Sequence, residues 1–100
     1  MMLEITISSP APHFSQEHQL FGRSYIFEFE WLESECYWCM HVYDGVERPL
    51  ALGLRILIGE PIFVEVKTSM VLFLVAKVPN AELNLQTLSK DFFVVAHELI

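Results

Sequence analysis

Two neighbouring clusters hold the residues of this 100-residue chain that could do chemistry. The first is Cys36-Tyr37-Trp38-Cys39, with His41 two positions on. A redox CxxC works when its first thiol sits at a helix N-terminus, where the dipole lowers the thiol pKa toward the thiolate. Here the pair leaves a polar turn and enters an extended run. Positions i and i+3 of a regular strand face opposite sides, which opposes a disulfide between them. A zinc site would need two further ligands. His41 is near, but His13, His18 and His97 are dispersed and the fold would have to gather them. Both thiols are therefore expected to be buried or half-buried packing groups, with no metal and no cofactor. The second cluster is Glu28, Glu30, Glu33 and Glu35. Paired carboxylates can cleave a glycoside when held across a sugar. Acids at alternate positions of a strand are more simply a solvated face, which also protects a sheet edge from aggregation. No Ser-His-Asp context, phosphate loop or dinucleotide-binding glycine pattern accompanies them. No catalytic residue is assigned, and an enzyme is not expected.

Both clusters fall within residues 23–50, RSYIFEFEWLESECYWCMHVYDGVERPL, and the strands of that stretch must position them. Tyr25, Phe27, Phe29 and Trp31 point one way and Glu28 and Glu30 the other, the period of a strand. Aromatic composition also disfavours a helix there. Glu33-Ser34-Glu35 breaks the run, and residues 37–43 resume it, so the pair reads as a β-hairpin. Asp44-Gly45 ends the second strand, because glycine permits positive φ and Asp can bond its own backbone. Pro49 fixes φ where the next segment starts.

The rest of the chain continues in short strands. Leu3, Ile5 and Ile7 alternate with polar residues. Ser8-Ser9-Pro10-Ala11-Pro12 breaks that strand, either as a connecting loop or as an extended arm that packs on a neighbouring subunit. Residues 13–19 are polar, with Phe14 as their anchor. The segment LALGLRILIGEP predicts a strand pair or one bent strand, with Gly53 and Gly59 as sites of bulges or close backbone approach. Arg55 interrupts its apolar run, either as a rim arginine whose stem covers apolar area or as an interface group for a partner's carboxylate. Residues 62–66 form a strand, and Lys67-Thr68-Ser69 is turn-like. Residues 70–78 are an almost unbroken apolar strand, of the kind covered on both faces within the domain or at a subunit contact. Residues 81–91 form a helical turn or irregular connection packed by Leu83, Leu85 and Leu88, and residues 92–96 are a last strand. The fold expected is all-β, a small antiparallel barrel or sandwich of about seven to eight strands.

At this length the chain is one domain, residues 1–100, with an N-terminal strand and proline-containing arm over 1–17 and a β core over 18–100. It is 53% hydrophobic, with mean hydropathy +0.39. So small a domain still exposes roughly a third of the surface of its unfolded chain, so an apolar excess of this size implies burial against copies of itself or a larger assembly. Six basic and 13 acidic residues give a net charge of −7. That balance opposes nucleic-acid binding and attachment to anionic lipid. No basic, apolar leader and no run of ~20 apolar residues is present, so synthesis in a cytoplasm, reduced cysteines and no membrane insertion are expected.

The order of motifs resembles the small baseplate plug proteins of contractile-tailed bacteriophages. The likeness rests on Tyr25, Phe27, Phe29, Trp31, Trp38, Val42, Tyr43, Asp44, Gly45, Pro49 and Leu50, then on Gly53, Leu54, Arg55, Ile56, Leu57, Gly59 and Pro61. Leu20, Gly22 and Arg23 fit the lead-in, and Leu32 and Ser34 stand at the hairpin tip where the pattern has Asn and Arg. The resemblance implies a structural component of a phage, prophage or phage-derived tail. Such a protein packs centrally in the baseplate, near tube and hub, and helps to plug the channel. Implied partners are baseplate hub and tail tube proteins, with homo-oligomerisation inside the assembly. Candidate interface residues are Trp31, Tyr37, Trp38, Tyr43 and Arg55. The alternative is a free-standing β-sandwich module that uses the same aromatics as a platform for sugars or peptides.

Overall fold

A computed structural model of the chain describes residues 2–64 and 70–98. Eight strands and one helical turn follow in order: β1 (Met2–Thr6), β2 (His13–Leu20), β3 (Arg23–Leu32), β4 (Tyr37–Asp44), β5 (Pro49–Arg55), β6 (Ile62–Val64), β7 (Met70–Ala76), α1 (Leu88–Asp91) and β8 (Phe92–Glu98). They form two separate four-stranded sheets whose strand pairs are all antiparallel. A meander sheet runs β2-β3-β4-β5, and a terminal sheet runs β1-β8-β7-β6. The all-β expectation holds, and of its two forms the sandwich is the one present, because neither sheet closes on itself.

Each meander turn has its own backbone solution. Phe21 and Gly22 join β2 to β3 with φ of 52° and 80°, the double positive φ of a type I′ hairpin. Phe21 tolerates that geometry while its ring packs against the core. Residues 33–36 join β3 to β4. The Leu32 carbonyl there accepts from the amides of Glu35 at 3.2 Å and Cys36 at 2.8 Å, and Cys36 takes φ +57°. After β4, the Asp44 carboxylate accepts from the amides of Val46 (3.0 Å) and Arg48 (2.9 Å), as the turn chemistry of Asp predicts. The glycine beside it acts differently from expectation. Glu47 takes the positive φ, +64°, and Gly45 is needed because a Cβ there would lie 2.7 Å from Cβ of Ser24.

Gly53 marks a bulge in β5. Leu54 pairs with Met40 and Ala51 with Val42, so Leu52 and Gly53 together oppose His41. Beyond β5 the chain bends and crosses to the other sheet. The Ile56 amide still donates to the Trp38 carbonyl at 3.0 Å, and Ile58 then bridges Leu74 in parallel. The segment is therefore one bent strand rather than a pair. Residues 8–12 cross the other way, tied at both ends: Ser8 N–H donates to Gln16 Oε1 at 3.0 Å, and Trp31 N–H to the Pro12 carbonyl at 2.8 Å.

The polar residues 13–19, which have no element in the sequence reading, belong to β2, an edge strand. Its inward positions are Phe14, Gln16, His18 and Leu20. Phe14 stacks on Phe29 at 5.0 Å between ring centroids. The expected strands over 62–66 and 70–78 are observed as Ile62–Val64 and Met70–Ala76. Residues 65–69, including the expected turn, and residues 99–100 lie outside the described residues.

The core lies between the sheets. Phe27, Phe29, Trp38, Met40 and Val42 face it from the meander, and Ile5, Leu72, Leu74, Phe92 and Val94 from the terminal sheet. Burying each large side chain contributes roughly 1.5–3 kcal/mol. Leu88 of α1 is buried, and Leu83 and Leu85 pack on the same cluster.

Candidate functional site: the outer face of the meander sheet

Register decides which candidate residues share a surface. Trp31 pairs with Trp38, Glu30 with Cys39, Glu28 with His41 and Cys39 with Arg55. Cys39, His41 and Tyr43 therefore join Glu28, Glu30, Tyr37 and Arg55 on the outer face, while Trp38, Met40 and Val42 turn inward. The five candidate interface residues divide accordingly. Tyr37, Tyr43 and Arg55 are on the outer face. Trp38 is 1% exposed, and its indole N–H donates to the Asn84 carbonyl at 2.9 Å. Trp31 is half-buried at the sandwich end, edge-on to Trp38 at 5.6 Å, and its indole N–H donates to Glu33 Oε2 at 2.6 Å. A single aromatic platform of Trp31, Tyr37, Trp38 and Tyr43 is thus not assembled on either face.

On the outer face the acids are partnered rather than free. Glu28 Oε2 meets His13 Nε2 at 2.5 Å, and the Tyr43 hydroxyl donates to Glu28 Oε1 at 2.8 Å. Those two bonds, His13 first, hold the Glu28 carboxyl below the ordinary carboxylate range. The same bond to Glu28 pushes the Tyr43 phenol up. Glycoside chemistry needs one carboxyl kept protonated, and Glu28 is held in the opposite state. Alongside it, Gly53 N–H donates to His41 Nδ1 at 2.9 Å. The ring proton is thereby placed on Nε2, which faces Glu30 Oε1 at 3.4 Å. This His13–Glu28–Tyr43 and Glu30–His41–Gly53 lattice is absent from the sequence reading, since its members meet only through strand register.

The cysteines are both free. Cys39 is buried beside His41, at 3.8 Å from Nε2. Burial, reinforced by Glu30 and Glu28, pushes its thiol up, away from the thiolate that metal binding or exchange requires. Cys36 is exposed at the hairpin tip rather than buried or half-buried. Among the described residues no group of three or more His, Cys, Asp or Glu could hold a metal ion, and no helix is long and apolar enough to cross a membrane.

Arg55 lies over the Tyr37 ring, 4.6 Å from its centroid, a cation–π contact. No carboxylate of the described residues pairs with its guanidinium. Beside it runs a shallow groove of about 360 Å³ whose lining includes Tyr37, Arg55, Ile56, Leu57, Ile58 and Leu83, with Cys36 and Glu60 also on its wall. Leu57 and Ile58 are exposed there. The arrangement offers another protein surface a fixed cation beside exposed apolar side chains.

A family model described as "Cyanophage baseplate Pam3 plug gp18" matches residues 2–98. Comparison with curated proteins and with solved structures gave no match.

Proposed function

This chain belongs to the cyanophage baseplate plug family, a phage baseplate plug component, and from that membership we propose its place and partners. It packs at the centre of a contractile-tail baseplate, near the tube and hub, and helps to close the channel until contraction. It is made in the host cytoplasm and leaves in the particle. The observation that carries this reading is the family match over nearly the whole chain. The same membership supports a structural, non-enzymatic role.

Two physical features support it. Apolar side chains beyond what one small domain covers remain on the surface: Leu52, Leu57, Ile58 and Phe63 are among the exposed ones. A net charge of −7 also gives the phosphate backbone little to adhere to, as suits a channel that DNA must pass. For hub or tube proteins, the contact surface is the outer face around Tyr37, Tyr43 and Arg55, with Trp31 at the tip and Trp38 stiffening it from within. Copies of the chain also meet one another in the assembly.

Co-expression of the tagged chain with its tail components tests this. The chain is expected to retain a hub or tube protein, and Tyr37→Ala with Arg55→Ala to weaken that retention while the melting temperature holds. Retention of no tail component would end the proposal.

A further inference from the structure

We propose that Gln16 and His18 form an acid-released clasp that ties the two sheets together along one edge of the sandwich. β1 is an edge strand of the terminal sheet and β2 an edge strand of the meander. Gln16 reaches from β2 to the end of β1. Its Nε2 donates to the Thr6 carbonyl at 2.8 Å. Its Oε1 accepts from the Ser8 N–H and from the Ser8 hydroxyl, both at 3.0 Å. On its own strand, Gln16 Nε2 lies 2.6 Å from His18 Nε2.

The backbone partners fix which way the amide points. A peptide N–H only donates and a peptide carbonyl only accepts, so Oε1 must face Ser8 and Nε2 must face Thr6. Gln16 Nε2 is then a donor toward His18 as well. His18 Nε2 must be bare, with the ring proton on Nδ1. Protonation adds an N–H at that bare nitrogen, and donor meets donor at 2.6 Å. Turning the amide over would satisfy His18, but it would set Oε1 against the Thr6 carbonyl and Nε2 against the Ser8 N–H. The ring is half-buried and packs on Phe27, 5.8 Å between centroids, which holds it beside Gln16. A charged His18 and a closed clasp therefore oppose each other, and burial of the ring acts in the same direction.

Among the described residues, the groups around His18 leave it as the one that titrates near neutrality. Its cross-strand pair on β3 is Tyr25, a phenol that stays neutral there. Arg23 follows on that face at the hairpin end, exposed and charged throughout. Glu17 of β2 faces the other side of the sheet. Thr6, Ile7 and Ser8, from β1 and the crossing segment, carry no charge. The far end of the crossing segment is held by a backbone bond, Trp31 N–H to the Pro12 carbonyl, and β1 is paired along its length with β8. Acid is thus directed at the Thr6–Ser8 end. The clasp goes beyond the baseplate reading and does not depend on it.

NMR of the isotope-labelled full chain, on both sides of the ordinary histidine value of ~6.5, tests it. The ring nitrogens of neutral His18 are expected to show the Nδ1–H tautomer. As His18 takes up its proton, exchange of the Ser8 amide, corrected for its intrinsic pH dependence, should speed up about threefold to tenfold, as for the loss of one hydrogen bond. The Trp31 amide should not change. His18→Gln keeps an acceptor beside Gln16 without titrating, and should hold the Ser8 amide protected throughout. Gln16→Met should leave that amide unprotected at every pH. An Nε2–H tautomer overturns the proposal, and that reading needs no variant to fold. Ser8 protection that ignores the titration of His18, or that falls equally in His18→Gln, overturns it too. None of these results bears on the binding of tail proteins.

Discussion

At the scale of single residues, several side chains with apparent chemistry make bonds that hold the fold. Trp38 is the clearest case. Its ring fills the core and its N–H satisfies the Asn84 carbonyl, so Trp38→Phe should lower stability by about 1–3 kcal/mol through a lost hydrogen bond and a small cavity. The shift in urea midpoint at constant m-value measures it. Acid should destabilise the fold in two windows. Desolvation lowers the His18 pKa, so the unfolded chain takes up that proton first. Stability is then complete above the ordinary histidine value of ~6.5 and falls as pH drops below it. Glu28 is also lowered, by its bonds to His13 and Tyr43, and its contribution is lost as pH falls below the ordinary glutamate range. His18→Gln should flatten the upper window, and Glu28→Gln the lower, in melting temperature against pH. Trp38 sits beside Tyr37 in sequence, and which of two adjacent aromatics turns inward depends on the length of the preceding loop. A one-residue change of register exchanges the faces, so their surface role could not be read from residue type.

At the scale of elements, the legible strands are those with an unbroken face. β3 is explicit because all four of its aromatics share one side. β2 is not: it is an edge strand, and its inward Gln16 and His18 interrupt the apolar period. Its turn is also disguised, since Phe21-Gly22 lacks the Asn-Gly or Asp-Gly composition of most type I′ hairpins. Gly53 was readable as a bulge, because a glycine inside a strand has few other uses. Two substitutions test the turn geometry. Gly45→Ala should cost about 1–3 kcal/mol, since its methyl must displace Ser24. Cys36→Gly should be neutral or stabilising by up to ~1 kcal/mol, because Cys36 holds φ +57° and glycine adopts that conformation without a Cβ penalty. Chemical denaturation of both variants in parallel provides the comparison, and loss of stability in Cys36→Gly would contradict the turn assigned.

At the scale of the whole molecule, the surplus apolar composition resolves into places. The sequence required that some partner cover it. Among the described residues, part of it lies in the groove beside Arg55, at Leu57 and Ile58, part on the terminal sheet, at Met2 and Phe63, and the rest is scattered at Val46, Leu52 and Val78. Strand order was not legible, because pairing β1 with β8 brings together segments from opposite ends of the chain with no local signal. The most direct measurement is a cryo-EM reconstruction of the intact baseplate of a particle that carries this chain. Density fitting the two-sheet sandwich on the tail axis, against tube and hub, is the predicted result. Density at the baseplate periphery, or an axial channel closed by another chain, would contradict it.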